Sequence, residues 1–234
     1  MAEKKVRKTP EIFRNIISPS SNMPLLEFYK GYYECIYLIL HPFYKVVKNK
    51  NEAFSKKEWP GKEKITKLTK SVSWAEVIEL SGLPNIKTVD IALRNSTYSL
   101  AKKHQNENQS KMLNDTCQRY NLLEPNHGDF SELLIDDMLK PLLELGHEWV
   151  FIGDEFGHER KLQYINDIIR NKVDVNYHHE NWYTPQNEIL YTTHWDSHFT
   201  LLCSDRETTK KILEIRPFEG FYCDADTGVY WSLT

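Results

Sequence analysis

The chain has 234 residues, with 30 basic and 33 acidic side chains and a formal charge of −3. That length suits one large domain or two small ones, with enough chain to bury a core without disulfide staples. With 40% hydrophobic residues, 9 Gly and 10 Pro, the composition excludes wholesale disorder and collagen-like or low-complexity fibre, and its sparse breakers favour long elements over a many-stranded sandwich.

The first sixteen residues, MAEKKVRKTPEIFRNI, are basic but lack the apolar run and small-residue cleavage site of a secretory signal. Asn22 is a candidate N-cap with Pro24 just inside, and Leu25, Leu26, Tyr29, Tyr32, Tyr33 and Ile36 follow helical spacing. This predicts a helix leaving at Pro42. The chain's most apolar run, Ile36–Tyr44, falls well short of the roughly 20 residues of a membrane span. Residues 1–70 carry net +8 and residues 71–234 net −11. The Lys-rich stretch from Lys45 to Lys70 reads as a solvated face, with an anionic partner as the alternative.

Ser73-Trp-Ala-Glu76 has the pattern of a capping box opening a helix over 75–80 that stops at Gly82, and a second helix follows from about Ile86 to Lys103. Segment 72–103 has the outline of a DNA-reading helix-turn-helix, with Lys87, Arg94, Lys102 and Lys103 to meet phosphates. Against that stand Ile78 where a small residue is wanted, a turn one residue too long, and Asp90 on the reading helix. A helical hairpin in the core is the preferred reading, so nucleic acid is not a favoured partner. The tract 104–111 reads as a loop. Asp129 or Ser131 starts a helix that Pro141 kinks and Gly146 ends.

In the last third, Trp149–Ile152 reads as a short buried strand, and Gly153-Asp154-Glu155 as the start of a helix to about Asn171. His198–Cys203 reads as a strand, and Ser204-Asp205 caps a helix over 206–215. Phe221–Cys223 and Val229–Trp231 read as a terminal hairpin. The expectation is an α+β protein in one compact unit: a helical N-terminal part, about 1–146, packed on a small mixed α/β sheet in about 147–234. Cys35, Cys117, Cys203 and Cys223 have no metal-site spacing and read as reduced thiols of a cytoplasmic protein, with Cys203 and Cys223 placed for contact.

Four of the nine histidines, His178, His179, His194 and His198, fall within 21 residues. If Thr193–His198 is one strand, His194, Asp196 and His198 share a face, and two imidazoles with a carboxylate suit a divalent Zn, Mn or Fe ion. If instead Asp196-Ser197 is a hairpin turn between arms 189–195 and 198–203, Asp196 faces solvent and the histidines spread. The second geometry is preferred, because a single long strand would exceed usual lengths. Asp154, Glu155 and His158 are accessory candidates, the last two at i,i+3 on the expected helix. His178, His179 and Glu180 lie in an aromatic-rich loop able to shield a cleft.

No GxSxG elbow, GxxxxGK[ST] loop or GxGxxG turn is present. Segments 149–169, 193–213 and 219–231, with VSWAEVIELSGLPNIKTVDIALRNS at 72–96, resemble an uncharacterised family of proteins from Bacillus-type bacteria, a domain of unknown function. The resemblance implies a bacterial, soluble, full-length unit and carries no activity, cofactor or catalytic residue with it. The leading functional expectation is a non-catalytic module binding a protein or small ligand, with Trp182, Tyr183 and Trp195 on its recognition surface. A metal-dependent hydrolase built on His194, Asp196 and His198, and a DNA-binding regulator built on 72–103, are the alternatives.

Overall fold

The computed structural model describes residues 16–47, 59–97, 99–173, 175 and 181–233. Leu25–Phe28 forms a single helical turn, α1, and the positive φ of Gly31 redirects the chain. Cys35–Leu40 then runs as strand β1 and Phe43–Val46 as β2. The elements that follow are α2 (Lys62–Leu68), β3 (Thr69–Val72), α3 (Trp74–Ser81), α4 (Ile86–Ser96), α5 (Glu107–Tyr120), β4 (Leu122–Leu123) and α6 (Ile135–Glu144). The chain continues through β5 (Trp149–Gly153), β6 (Arg160–Tyr164), α7 (Ile165–Ile169), β7 (Asn181–Tyr183), β8 (Leu190–Thr192), β9 (Phe199–Ser204), α8 (Arg206–Ile215) and β10 (Gly220–Tyr222).

Seven strands form one antiparallel sheet in the order β10-β1-β9-β8-β7-β5-β6, and β3-β2-β4 form a second. Helices and strands are spread along the whole chain. This corrects the expected helical N-terminal part on a small C-terminal sheet: the fold is mixed α+β, and an N-terminal strand sits inside the main sheet.

The correction has a definite cause. All six residues of β1, CIYLIL, are buried. Alternate side chains of a strand point to opposite faces. Ile36, Leu38 and Leu40 enter one core with Leu25, Trp74, Val77, Val89, Leu93 and Leu113, while Tyr37 and Ile39 enter the other with Met138, Leu142, Ile165 and Ile212. A strand covered on both faces has no polar alternation, so periodicity cannot separate it from a buried helix. Its neighbours come from the far end of the chain: Ile36 pairs with Cys203 on β9, and Leu38 with Phe221 on β10. Gly220 allows that second contact, since a Cβ there would collide with the Leu38 carbonyl oxygen.

Local signals fared better where a side chain caps the backbone. Ser73 Oγ accepts from the Glu76 N–H at 3.1 Å, and Gly82, at φ 74°, ends α3. Asp205 caps α8 by accepting from the Thr208 N–H at 2.8 Å. Elsewhere the expected elements differ. The polar tract 104–111 enters α5, capped by Asn106. α4 stops at Ser96, and α6 begins at Ile135. The expected helix 153–171 is instead a hairpin turn followed by β6 and the short α7. β10 pairs with β1, and Trp231–Leu233 is a 3-10 turn. β1 lies between β9 and β10, so Cys203 and Cys223 sit two strands apart, and the described cysteines are all free thiols.

Candidate functional site

The stretch 193–198 connects β8 to β9. The Ser197 N–H donates to the His194 carbonyl at 2.9 Å, which makes a four-residue turn with Trp195 and Asp196 at its centre. Trp195 is 56% exposed, whereas His194, Asp196, Ser197 and His198 are at most 5% exposed. The turn thus shows one indole outward and buries four polar residues.

Arg94 holds the turn from below. It lies on α4, is fully buried, and donates through Nε to Asp90 Oδ2 at 2.7 Å, through one terminal nitrogen to the Asp196 carbonyl at 2.7 Å, and through the other to the Val229 carbonyl at 2.8 Å. Asp196 Oδ2 accepts from the Tyr230 hydroxyl at 2.6 Å and lies 4.0 Å from Arg94. Ser232 Oγ donates to Asp90 Oδ2 at 2.6 Å. One guanidinium therefore joins α4, the turn and the C-terminal segment. Its planar fork of donors fits this geometry.

The three residues that the single-strand alternative would gather on one metal make different contacts. His194 Nδ1 accepts from the Asp196 N–H at 3.2 Å. The Asp196 carboxylate faces Tyr230 and Arg94 instead of solvent. His198 Nδ1 is 3.1 Å from the Pro125 carbonyl. Among the described residues, no group of three or more His, Cys, Asp or Glu side chains is arranged to hold a metal ion.

His198 has other company. The His127 ring lies 5.9 Å from it, centre to centre, with the planes 38° apart. The His41 N–H donates to the His198 carbonyl at 3.0 Å, and His41 Nε2 is 2.8 Å from Thr200 Oγ1. Burial pushes the His41 imidazole down to about 3, against a backbone hydrogen bond at Asn126 that favours the charged form. Burial, then the charges of Arg94, His127 and His41, push His198 well below the ordinary histidine value. Both rings are neutral near pH 7. The loop Pro125–Gly128 is pinned to the turn by the Gly128 N–H, which donates to the Ser197 carbonyl at 2.9 Å. Sequence reading gave His41 and His127 no role and did not place Arg94 or Tyr230 at this turn, because tertiary packing of distant segments brings them here.

The remaining candidates lie elsewhere. Asp154 closes the β5–β6 turn: its carboxylate accepts from the N–H groups of Phe156 at 2.7 Å, His158 at 3.2 Å and Glu159 at 2.5 Å. Glu155 and His158 belong to that same turn and share no helix face. Trp182 and Tyr183 are core residues, 0% and 2% exposed. His178, His179 and Glu180 lie outside the described residues. In segment 72–103, Arg94 and Asp90 face inward, and Lys102 and Lys103 are exposed. No described helix is long and apolar enough to cross a membrane.

Neither a curated protein nor a solved structure matches the chain. One family model does, over residues 21–233, and its description is protein of unknown function (DUF2711). The chain belongs to that family.

Proposed function

We propose that this family member is a non-catalytic recognition module, working in the cytoplasm, whose contact point is the Trp195 turn. The observation that carries the reading is the contrast within four consecutive residues. An indole stands 56% exposed on a turn whose neighbours are buried and fastened to Arg94, Tyr230 and the Pro125 loop. Large aromatic side chains with a polar tip are the usual anchors of protein contacts, and a contact held rigid before binding loses less entropy on association. Arg94, Asp196 and Tyr230 beneath it hydrogen-bond to one another and to the backbone, which suits a scaffold better than a reaction centre. Free thiols at all four cysteines support a reducing compartment.

The test compares untagged wild type with Trp195→Ala, each immobilised and exposed to lysate of the source cells. A surface substitution of this kind shifts stability by no more than about 0.5 kcal/mol, so both proteins should show the same unfolding midpoint. The expected result is at least one protein retained by wild type and lost with Trp195→Ala. Identical retained sets would refute the reading.

A further inference from the structure

We propose that His127 and His198 together bind a divalent transition-metal ion of the zinc–copper group, at a site that uses neither His194 nor Asp196. The starting point is one nitrogen atom. A carbonyl oxygen can only accept, so the 3.1 Å contact between His198 Nδ1 and the Pro125 carbonyl places the ring proton on Nδ1. In the neutral ring, Nε2 then carries a bare lone pair. That atom is buried, on a residue 1% exposed, and has no hydrogen-bond partner among the described residues. A buried acceptor without a donor is costly, so such an atom marks an expected occupant.

A neutral imidazole with its other nitrogen hydrogen-bonded to a backbone carbonyl is the usual arrangement of a metal-binding histidine. The second imidazole is in place. Two rings on one tetrahedral ion, with metal–nitrogen distances of about 2.0–2.1 Å, have centres about 5–6 Å apart. The His127 and His198 centres are 5.9 Å apart. His127 is exposed, so it offers an entry path to a lone pair that is otherwise enclosed. The Gly128 hydrogen bond to Ser197 fixes its loop against the turn. The charge of nearby Arg94 is offset by Asp90 at 2.7 Å and Asp196 at 4.0 Å. Imidazole donors suit Zn, Cu and Ni, and water completes the coordination that two protein ligands leave open. The competing occupant is a single water donating to Nε2.

Zn2+ alone is the probe. The full-length untagged chain is freed of metal with a chelator, then titrated by calorimetry, with long-range imidazole 15N spectra recorded in parallel. The expected result is one equivalent of Zn2+ per chain, a 15N shift at His198 Nε2, and an affinity for His127→Ala lower by at least the roughly 10-fold that even a lost outer-sphere partner costs. His127 sits on an exposed loop, so its replacement leaves the core intact. A His178→Ala/His179→Ala variant should bind as wild type does. Absence of binding would overturn the proposal and leave the water. So would binding that survives His127→Ala or disappears with His178→Ala/His179→Ala, or a spectrum that puts the proton on His198 Nε2.

Discussion

Arg94 is a fully buried cation whose hydrogen bonds reach an aspartate on its own helix and two carbonyls from distant segments. Burying charge is costly, and what makes it tolerable here is that each guanidinium nitrogen has an acceptor and Asp90 lies beside it. Removing one member leaves the others uncompensated. Arg94→Ala should therefore destabilise the protein by about 3–5 kcal/mol in urea denaturation. Arg94→Lys should recover only part of this, because a point charge cannot serve three acceptors. The sequence advertised the histidines and Asp196 by their density but hid this partner. Arg94 has a part only in the helix-turn-helix alternative, as a phosphate contact, while the preferred core hairpin gives it no partner. Nothing local marks it as buried, since its acceptors at Asp196 and Val229 are brought in by tertiary packing.

At the scale of elements, what could be read in advance was what a few neighbouring residues decide. Ser73 and Asp205 cap their helices because a side-chain oxygen reaches an N–H three residues on, and that geometry is written in four residues. β1 is the opposite case. Its state is set by two cores and by partners from the end of the chain. Hydrogen exchange tests the corrected assignment: amides of 36–40 should be among the slowest, opening only with global unfolding, whereas those of a frayed helix end would exchange early. The turn 154–159 misled for another reason, because Gly153-Asp154-Glu155 has the composition of a helix start. Asp154 does cap N–H groups, but those of a hairpin turn. Burial works against its charge, yet hydrogen bonds from Glu159, Phe156 and His158, with the charge of His158, outweigh that and hold its carboxyl below the ordinary value. A carboxyl depressed in the folded state adds stability above its unfolded value and loses it as pH falls through the folded one. The turn should thus loosen below about pH 4, read as pH-dependent amide shifts at Phe156 and Glu159. Asp154→Asn should abolish that dependence.

Taken whole, the described residues form a seven-stranded antiparallel sheet and a smaller three-stranded one, and stability rests on two clusters of buried apolar side chains. Composition announced a sizeable core correctly. It also suggested long elements, whereas the strands among the described residues run from two to six residues. The four cysteines contribute as free thiols, not as cross-links. Addition of reductant should leave the thermal midpoint unchanged, and a thiol reagent should titrate four groups in denaturant. Cys203, fully buried with its thiol pushed up by burial and then by Cys223 and Cys35, should be unreactive in the native state.

The pairing of β1 with β9 and β10 also bears on how the protein is made. A ribosome delivers residues 35–40 well before their partners at 199–204 and 220–222. Until those partners emerge, the nascent chain carries an uncovered run of CIYLIL, a sticky segment awaiting both neighbours. A product cut short before Phe199 would never bury it, and should be found with chaperones or in aggregates instead of in the soluble fraction.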